Sequence, residues 1–236
     1  RVKKVKISKE ERNLLYFFKK IMKDFIFRKK NALSKEKCDK IISIFEKDKT
    51  KQKGALGTVR TIDENRKKCS EVYVDTGQSV DDNAYNYLFM DELISAVGDY
   101  KKEYPFIDTI FRWKLDNQYK IQRYYPNEGF FHLHCENYGP ILVNNKLSAT
   151  SARTLTWMIY LNDVTEGGYT EFPSQNKLFQ PRTGDILIWP AFWTHPHRGI
   201  TSKTQTKYII TGWHVHILRK IEEDKESYAE NKEFYA

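Results

Sequence analysis

The chain has 236 residues and a mass of 28.1 kDa, enough for one large domain, or one domain with an extension, around a buried core. Hydrophobic residues make up 40% of the sequence and aromatic residues 14%, which excludes an intrinsically disordered chain. No apolar run approaches the ~20 residues that a membrane helix needs. Three scattered cysteines without CxxC pairs, and a charged N-terminal segment without a signal-peptide core, favour a reducing, cytoplasmic compartment.

The net charge of +9 is distributed unevenly along the chain. Residues 1–53 contain 19 Lys and Arg against 7 Asp and Glu, whereas the remainder contains 21 against 24. The body of the protein is therefore slightly acidic. A solvated lysine-rich helix face explains the basic N-terminal segment more simply than a nucleic-acid-binding arm does, although such an arm stays an alternative.

Helical patterns occupy the first hundred residues. A capping-box pattern at Ser8 precedes apolar residues at helical spacing, which predicts an amphipathic helix over 8–25. Ser34 is a second start signal and predicts a helix over 35–48. The lysine-rich segment 47–58 is predicted to be a loop, and a further helix is predicted over 82–102.

From about residue 105 the pattern changes to short β-type runs separated by turn residues. Many short strands in about 110 residues are typical of a barrel or a double-sheet jelly roll. Together with the preceding helices they indicate an α+β protein. The predicted strands are Tyr119–Tyr125, Thr154–Leu161, Gly184–Trp189 and Lys207–Leu218.

Candidate metal ligands concentrate in the second half of the chain, where all six histidines form three His-x-His pairs. On a strand, His134 and Glu136 point to the same face, because side chains two residues apart do so. A histidine from a distant strand, His195 or His197, would complete a set of two histidines and one carboxylate. That set leaves coordination positions open and is the signature of non-haem Fe(II) oxygenases. His132 shares the face of His134, so these residues alone do not decide which histidine of each pair is a ligand.

The surrounding motifs resemble the prolyl 4-hydroxylase-like 2-oxoglutarate/Fe(II) dioxygenases. The resemblance covers roughly residues 25–217 in organisation and is densest over 118–213. Its motifs are Tyr125-Pro-Asn-Glu-Gly129-Phe-Phe-His-Leu-His134-Cys-Glu136, Tyr160-Leu161-Asn162, Gly167-Gly168-Tyr169-Thr170-Glu171-Phe172, Pro181-Arg182-Thr183-Gly184-Asp185, and His197 followed by Lys207 and Trp213 at the spacings of the family.

The resemblance implies a double-stranded β-helix (jelly-roll) core with N-terminal supporting helices. It implies Fe(II) ligands at His134, Glu136 and His197, with glutamate standing where the family usually has aspartate. His132 and His195 are then supporting or packing residues. Predicted domain bounds are a basic helical extension (1–30), a dioxygenase domain (31–218, with its core at 105–218) and an acidic tail (219–236).

The resemblance also implies a cosubstrate pocket. Lys207 corresponds to the residue that binds the distal carboxylate of 2-oxoglutarate, and a buried dicarboxylate needs such a cation. We predict that the Tyr160 hydroxyl contacts the same carboxylate and that Tyr125 reaches the cosubstrate. Thr170 and Trp213 are predicted to pack the barrel, and His214 and His216 to be structural.

The implied activity is hydroxylation of an aliphatic C–H bond in a prolyl, peptidyl or small-molecule substrate. Its requirements would be Fe(II), 2-oxoglutarate and O₂, with ascorbate in support. Two alternatives stay open: an oxidative demethylase of nucleic acids, and a non-catalytic cupin-like binding module. Specificity is expected from loops over the barrel mouth, at 54–82 and 137–152. The sequence does not indicate an oligomeric state or a membrane partner.

Overall fold

The computed structural model of the chain describes residues 8, 23–57, 59–77, 84–110 and 112–217. Helices in this part of the chain precede the long strands. Ser34 begins the first helix as its N-cap, and its hydroxyl accepts a hydrogen bond from the Lys37 backbone N–H. The helices are α1 (Lys35–Lys47), α2 (Asn86–Glu103) and the short α3 (Ile107–Ile110).

Long strands in the second half of the chain alternate with shorter ones. The strands are β1 (Phe27–Lys29), β2 (Gln52–Lys53), β3 (Lys67–Lys68), β4 (Ser70–Asp75), β5 (Trp113–Tyr124), β6 (Gly129–Phe130), β7 (Leu142–Val143), β8 (Lys146–Leu147), β9 (Arg153–Tyr160), β10 (Thr170–Phe172), β11 (Lys177–Phe179), β12 (Ile186–Pro190), β13 (Arg198–Gly199) and β14 (Lys207–His216). The long strands include β5, β9, β12 and β14, which overlap the four predicted ones.

Seven antiparallel strands form the main sheet, in the order β1-β12-β9-β14-β5-β4-β2. A three-stranded sheet (β11-β10-β13) and two-stranded pairs (β3-β6 and β7-β8) make up the rest. Consecutive strands of the chain are repeatedly separated within the main sheet, so long connections carry the chain across it. This is the double-stranded β-helix that the sequence predicted.

The two faces of the main sheet pack against different partners because neighbouring side chains of a strand point in opposite directions. On the outer face, Trp157 and Ile159 of β9 are fully buried with Ile41 and Phe45 of α1 and with Phe89 of α2. The helices therefore support the sheet from outside, as predicted. None of the described helices is long and apolar enough to cross a membrane.

The inner face of the sheet packs partly against the small sheet and otherwise lines a cavity. Met158 and Tyr160 alternate with the outer-face residues of β9, and they join a second apolar cluster that includes Phe172 of β10 and Phe179 of β11. Trp189 of β12 meets Phe172 edge-on, with ring centroids 5.3 Å apart. This cluster forms part of the cavity wall, through Tyr124, Met158, Trp189 and Ile209.

The structure corrects several predicted boundaries near the N-terminus. Most of the predicted helix 8–25 lies outside the described residues, but residues 23–26 are not helical. Phe27–Lys29 form β1 and pair with β12, because alternating side chains suit an edge strand. The predicted extension 1–30 therefore ends inside the main sheet. The acidic tail 219–236 lies outside the described residues, and the domain division stays a prediction.

The segments predicted as loops also contain strands. The range 54–82 includes β3 and β4, and β4 belongs to the main sheet. The range 137–152 contains the hairpin β7-β8, and the range 47–58 contains β2. These strands were not predicted because their sequences are polar and rich in lysine. Such residues suit strands near a sheet edge, where one face meets solvent or a polar cavity.

Asp185 anchors the N-terminal segment to the sheet. Its carboxylate is 2.5 Å from Arg28 Nη2 and accepts a hydrogen bond of 2.8 Å from the Asn31 N–H. Next to it, the Gly184 carbonyl accepts a hydrogen bond of 3.0 Å from the Leu33 N–H. Gly184 has φ +79°, and a Cβ there would collide with the Leu33 carbonyl. Only glycine fits this approach.

We expect Gly184→Ala to lower the free energy of unfolding, by about 1–3 kcal/mol from the left-handed backbone conformation alone and further from the collision. Gly98→Ala is the matched control, because Gly98 lies in α2 with open space around its Cα. Alanine there should stabilise the protein by about 0.5–1 kcal/mol. Denaturant unfolding followed by circular dichroism measures both changes, and equal stability of the two variants would contradict this role of Gly184.

Candidate metal centre and cosubstrate cavity

Three side chains converge at one end of the cavity as candidate metal ligands. Glu136 Oε1 lies 3.5 Å from His134 Nε2 and 3.6 Å from His197 Nε2. The ligand atoms of the three residues all lie within 4.8 Å of one another. The structure thus brings together the three residues that the sequence predicted as ligands.

Backbone pairing fixes the two histidines relative to each other. His134 and His197 form an isolated antiparallel bridge, with N–H···O distances of 3.0 and 2.8 Å in the two directions. Glu136 is held by its N–H, which donates to the Ala191 carbonyl at 3.0 Å. The structure has this isolated bridge in place of the regular strand that was expected over 134–136. The side chains of His134 and Glu136 still lie on the same side of the backbone.

Each ligand histidine is oriented by the backbone two residues before it. His134 Nδ1 lies 2.9 Å from the His132 carbonyl oxygen, and His197 Nδ1 lies 3.1 Å from the His195 carbonyl oxygen. A ring nitrogen donating to a carbonyl fixes the tautomer and leaves Nε2 as an acceptor for a metal. Burial, followed by the nearby His197, lowers the pKa of His134, which favours the neutral ligand form.

His132 and His195 lie outside the three-residue cluster and contact it through their carbonyl groups. The His132 side chain is exposed, and only its carbonyl reaches His134. The His195 ring is held elsewhere, with Nε2 2.8 Å from the Asp24 carbonyl oxygen. Both were predicted as supporting or packing residues. His214 is buried and meets Trp113 edge-on, while His216 contacts Thr154, as expected for structural residues.

The second oxygen of Glu136 is held away from the histidines. Oε2 accepts hydrogen bonds from Arg153 Nη1 at 3.0 Å and from Trp213 Nε1 at 3.1 Å. The Arg153 guanidinium stacks 3.5 Å from the Trp213 ring centroid. Burial alone would raise the pKa of Glu136, but the two histidines and the charge of Arg153 outweigh burial and hold that pKa well below its usual range. The carboxylate is therefore ionised, with Oε1 directed at the metal position.

These residues fit a divalent transition metal. Two imidazole nitrogens and one ionised carboxylate oxygen form an open set of donors that suits non-haem Fe(II). The indole contact corrects the prediction for Trp213, which positions a ligand in addition to packing. Arg153 was not predicted from the sequence, since an arginine at the start of a strand gives no signal of a buried carboxylate partner.

A cavity of about 390 Å³ extends from the metal position into the barrel. Lys207 lies in its wall and is only 6% exposed. Its ammonium donates to the Gly168 carbonyl at 3.0 Å, and no ion pair to a carboxylate forms there in the described part of the chain. Burial lowers the pKa of Lys207 to about 8. A cation enclosed in this way needs an anionic ligand.

Comparison with known proteins agrees with this geometry. A model of the 2OG-Fe(II) oxygenase superfamily matches residues 119–215, the segment that contains the three candidate metal ligands and Lys207. A "Putative prolyl 4-hydroxylase" of Acanthamoeba polyphaga mimivirus is 30% identical over 116 residues, which are 44% of this chain and 47% of that protein. The chain thus matches about half the length of this relative.

The likeness to the 2OG-Fe(II) oxygenase superfamily covers 97 of the 236 residues of the chain, 119–215. Solved structures share the fold at low identity. A viral collagen prolyl hydroxylase from Paramecium Bursaria Chlorella virus-1 in complex with 2OG has a TM-score of 0.58 at 16% identity, covering 82% of this chain and 97% of that one. A Pseudomonas putida prolyl-4-hydroxylase has a TM-score of 0.53 at 15% identity, covering 81% and 92%.

A prolyl hydroxylase from Trichoplax adhaerens, solved in complex with a peptide fragment of the hypoxia inducible factor oxygen degradation domain, has a TM-score of 0.59. It is 15% identical, and the match covers 88% of this chain and 91% of that one. These likenesses confirm the predicted double-stranded β-helix fold.

The two tyrosines predicted to contact the cosubstrate lie in different environments. Tyr160 is fully buried, and its hydroxyl donates to Thr170 Oγ1 at 2.6 Å, while Thr170 itself lines the cavity. Tyr160 therefore stands behind Thr170 in the wall. Tyr125 does not reach the cavity: it is 46% exposed and its ring lies against Arg123. The prediction for Tyr125 is wrong.

Tyr124 takes the place that was predicted for Tyr125. It is 4% exposed, lines the cavity, and has its ring centroid 5.1 Å from Lys207 Nζ. Strand β5 ends at Tyr124, so alternation sends this side chain inward and the next one outward. Adjacent tyrosines allowed both registers in the sequence. The local sequence gives no signal that distinguishes them, because both faces of β5 are buried: Ile121 packs in the core with the helices, and Gln122 lines the cavity.

We expect His134→Ala and His197→Ala to lose stoichiometric binding of Mn(II) or Fe(II), because each removes one of three donors. His195→Ala should retain binding, since its ring is directed at the Asp24 carbonyl. Metal content after equilibrium dialysis and the electron paramagnetic resonance of bound Mn(II) measure the difference. Loss of binding in the His195 variant, with retention in the His197 variant, would reverse the assignment.

Proposed function

We propose that the chain is an Fe(II)- and 2-oxoglutarate-dependent dioxygenase that hydroxylates an aliphatic C–H bond in the manner of prolyl 4-hydroxylases. The observation that carries this proposal is the meeting of two features in one cavity. The open side of the His134, Glu136 and His197 cluster faces the cavity in which Lys207 is buried. A 2-oxo dicarboxylic acid has one end suited to each feature.

Each protein group has a defined task in this scheme. The three ligand residues would hold Fe(II), and Arg153 and Trp213 keep Glu136 in the orientation that directs one oxygen at the metal position. When bound, Fe(II) and 2-oxoglutarate would activate O₂, so that one oxygen atom enters the substrate and the other enters succinate as CO₂ leaves. The apolar wall excludes water from the reacting atoms.

Prolyl or peptidyl groups are the proposed substrates, with small molecules as a further option. The fold relatives include prolyl hydroxylases, and one was solved with a peptide fragment. The exposed apolar side chains of Val59, Tyr138 and Ile141 border the cavity, which suits a substrate of mixed polarity. Ascorbate is proposed as a supporting reductant. The buried, unpaired Lys207 supports an oxygenase over the cupin-like alternative.

Turnover with candidate substrates tests the proposal. The full chain, with Fe(II), 2-oxoglutarate and ascorbate, should convert 2-oxoglutarate to succinate and add ~16 Da to its substrate, the mass of the inserted oxygen atom. Proline, prolyl peptides and small metabolites form the candidate panel, and the His134→Ala variant is the control. Absence of both metal binding and 2-oxoglutarate binding in the wild-type chain would refute the proposal.

Replacing the buried cation should weaken cosubstrate binding. Lys207→Met keeps much of the stem volume but leaves one carboxylate of 2-oxoglutarate unpaired, at a cost of ~2–5 kcal/mol. This corresponds to roughly 30- to 3,000-fold in affinity. The affinity of Lys207→Arg for 2-oxoglutarate should be intermediate, because the positive charge is kept but the longer guanidinium group must fit the pocket. Calorimetric titration of anaerobic, Mn(II)-loaded protein with 2-oxoglutarate measures the effect. Unchanged affinity in the methionine variant would show that Lys207 does not bind the cosubstrate.

The affinity for 2-oxoglutarate should also depend on pH. The free protein loses the Lys207 proton near pH 8, and the neutral amine cannot pair with a carboxylate. Binding should therefore be constant below that pH, and the dissociation constant should rise about tenfold for each pH unit above it. In Lys207→Arg the rise should disappear, since arginine stays protonated. The same rise in both proteins would show that another group causes it.

A further inference from the structure

A second lysine faces the cavity from the middle of strand β5. Inward-facing side chains alternate along this strand, at Lys120, Gln122 and Tyr124. Tyr124 lies opposite Lys207 of β14, whereas Lys120 lies opposite Thr211. The four residues from Tyr124 to Lys120 correspond to about 13 Å of strand. The side chains of Lys120 and Lys207 therefore start from backbone positions at different levels of the barrel.

Glu71 of strand β4, which lies next to Lys120, is already occupied by other donors. Its Oε2 accepts from Lys67 Nζ at 2.6 Å and from Gln122 Nε2 at 2.8 Å, and its Oε1 accepts from the Ala55 N–H at 3.0 Å. Lys67 and Glu71 are 2% and 0% exposed and neutralise each other. Lys120 Nζ stands 3.6 Å from Oε1, which is too long for a hydrogen bond.

Glu71 therefore faces two ammonium groups, those of Lys67 and Lys120, so this cluster carries one surplus positive charge. The Lys120 ammonium lies 4.6 Å from the Tyr73 ring centroid and 5.9 Å from the Trp213 ring centroid, so two aromatic faces flank it. Within the described residues, no acceptor lies at hydrogen-bond distance from Nζ, although an ammonium carries three donors. The side chain is only 14% exposed. Burial, followed by repulsion from Lys67, lowers the pKa of Lys120 to about 8, so the group is still mostly charged at neutral pH.

Most of the other charges on the cavity wall are paired. Glu136 is paired with Arg153, and Arg198 is 2.5 Å from Glu171. The two buried cations without a hydrogen-bonded carboxylate, among the described residues, are Lys207 and Lys120. In the proposed function Lys207 takes the far carboxylate of 2-oxoglutarate, which leaves Lys120 for another anion.

We propose that Lys120 binds a carboxylate of the primary substrate, and that the enzyme therefore selects acidic substrates. This inference rests on the proposed function, because it names the substrate class of the same site. The Trp213 ring connects the two positions, since its indole N–H contacts the ligand Glu136 and its face lies towards Lys120. One surplus charge matches the single negative charge of a carboxylate. That carboxylate would belong either to a free amino acid or to an acidic side chain beside the hydroxylated residue.

Matched acid and amide probes test this proposal on the full chain, loaded with Mn(II) and 2-oxoglutarate without O₂. One pair is L-proline and L-prolinamide, and the other is the acetylated, amidated peptide Gly-Pro-Glu and its Gly-Pro-Gln counterpart. Ligand-observed NMR gives the dissociation constants. We expect the acid of at least one pair to bind roughly 30-fold more tightly or better than its amide. The pair that shows this preference identifies the source of the carboxylate.

Substitutions assign the preference to Lys120. Lys120→Met and Lys120→Gln should abolish it, Lys120→Arg should retain part of it, and all three should bind 2-oxoglutarate as the wild type does. Lys114→Met is the control, because Lys114 is an exposed lysine of the same strand. Equal binding of acid and amide by the wild type, or a preference that survives in both neutral variants, would overturn the proposal.

Two further outcomes separate this proposal from the proposed function. Weaker 2-oxoglutarate binding in Lys120→Gln, with no change in acid preference, would assign Lys120 to the cosubstrate and overturn the inference alone. A wild-type chain that binds neither Mn(II) nor 2-oxoglutarate would overturn the proposed function, and the inference with it. Lys120→Gln keeps a polar side chain beside Glu71, so it serves if the methionine variant fails to fold.

Discussion

The orientation of the Glu136 carboxylate is the constraint on which the site depends, because its two oxygens have different partners. One oxygen faces the two histidines, and the other is fixed by Arg153 and Trp213. These two residues belong to neighbouring strands of the main sheet, β9 and β14, so the sheet itself sets the carboxylate orientation. Glutamate reaches farther than aspartate by one methylene group. The two-point attachment removes the freedom that this longer arm would otherwise have.

The cavity combines an apolar framework with a small number of enclosed charges. Each buried anion has close cationic or N–H partners, and burial therefore does not prevent ionisation: the pKa of Glu71 is lowered to about 2 despite the opposing effect of burial. Lys207 has no carboxylate partner among the described residues, and Lys120 shares Glu71 with Lys67 at a distance of 3.6 Å. A protein that encloses charge without full compensation loses stability, so an anionic ligand that paired with this excess positive charge would stabilise the fold.

Much of this arrangement could be predicted from the sequence, and the misses have physical causes. The ligand set followed from residue types and spacing, and the long strands followed from runs of apolar residues such as Ile186–Trp189. Tyr125 was misassigned because its neighbour Tyr124 has the same chemistry and one residue of register reverses the face. Arg153, Lys67 and Lys120 were missed because lysine and arginine are usually solvated. Their burial depends on partners from other strands, which local sequence does not reveal.

The short pair of β3 and β6 has a thermodynamic consequence. Phe130 of β6 pairs with Lys67 of β3, and its ring stacks on the His134 imidazole with a centroid distance of 3.6 Å. The Arg66 carbonyl also accepts from the next two N–H groups of the chain, at Phe131 and His132. A ligand that displaced the Arg66 backbone would therefore also disturb His134, one of the three candidate metal ligands. A metal bound at His134 would then change the affinity of that ligand, and the ligand would change the affinity for the metal by the same factor.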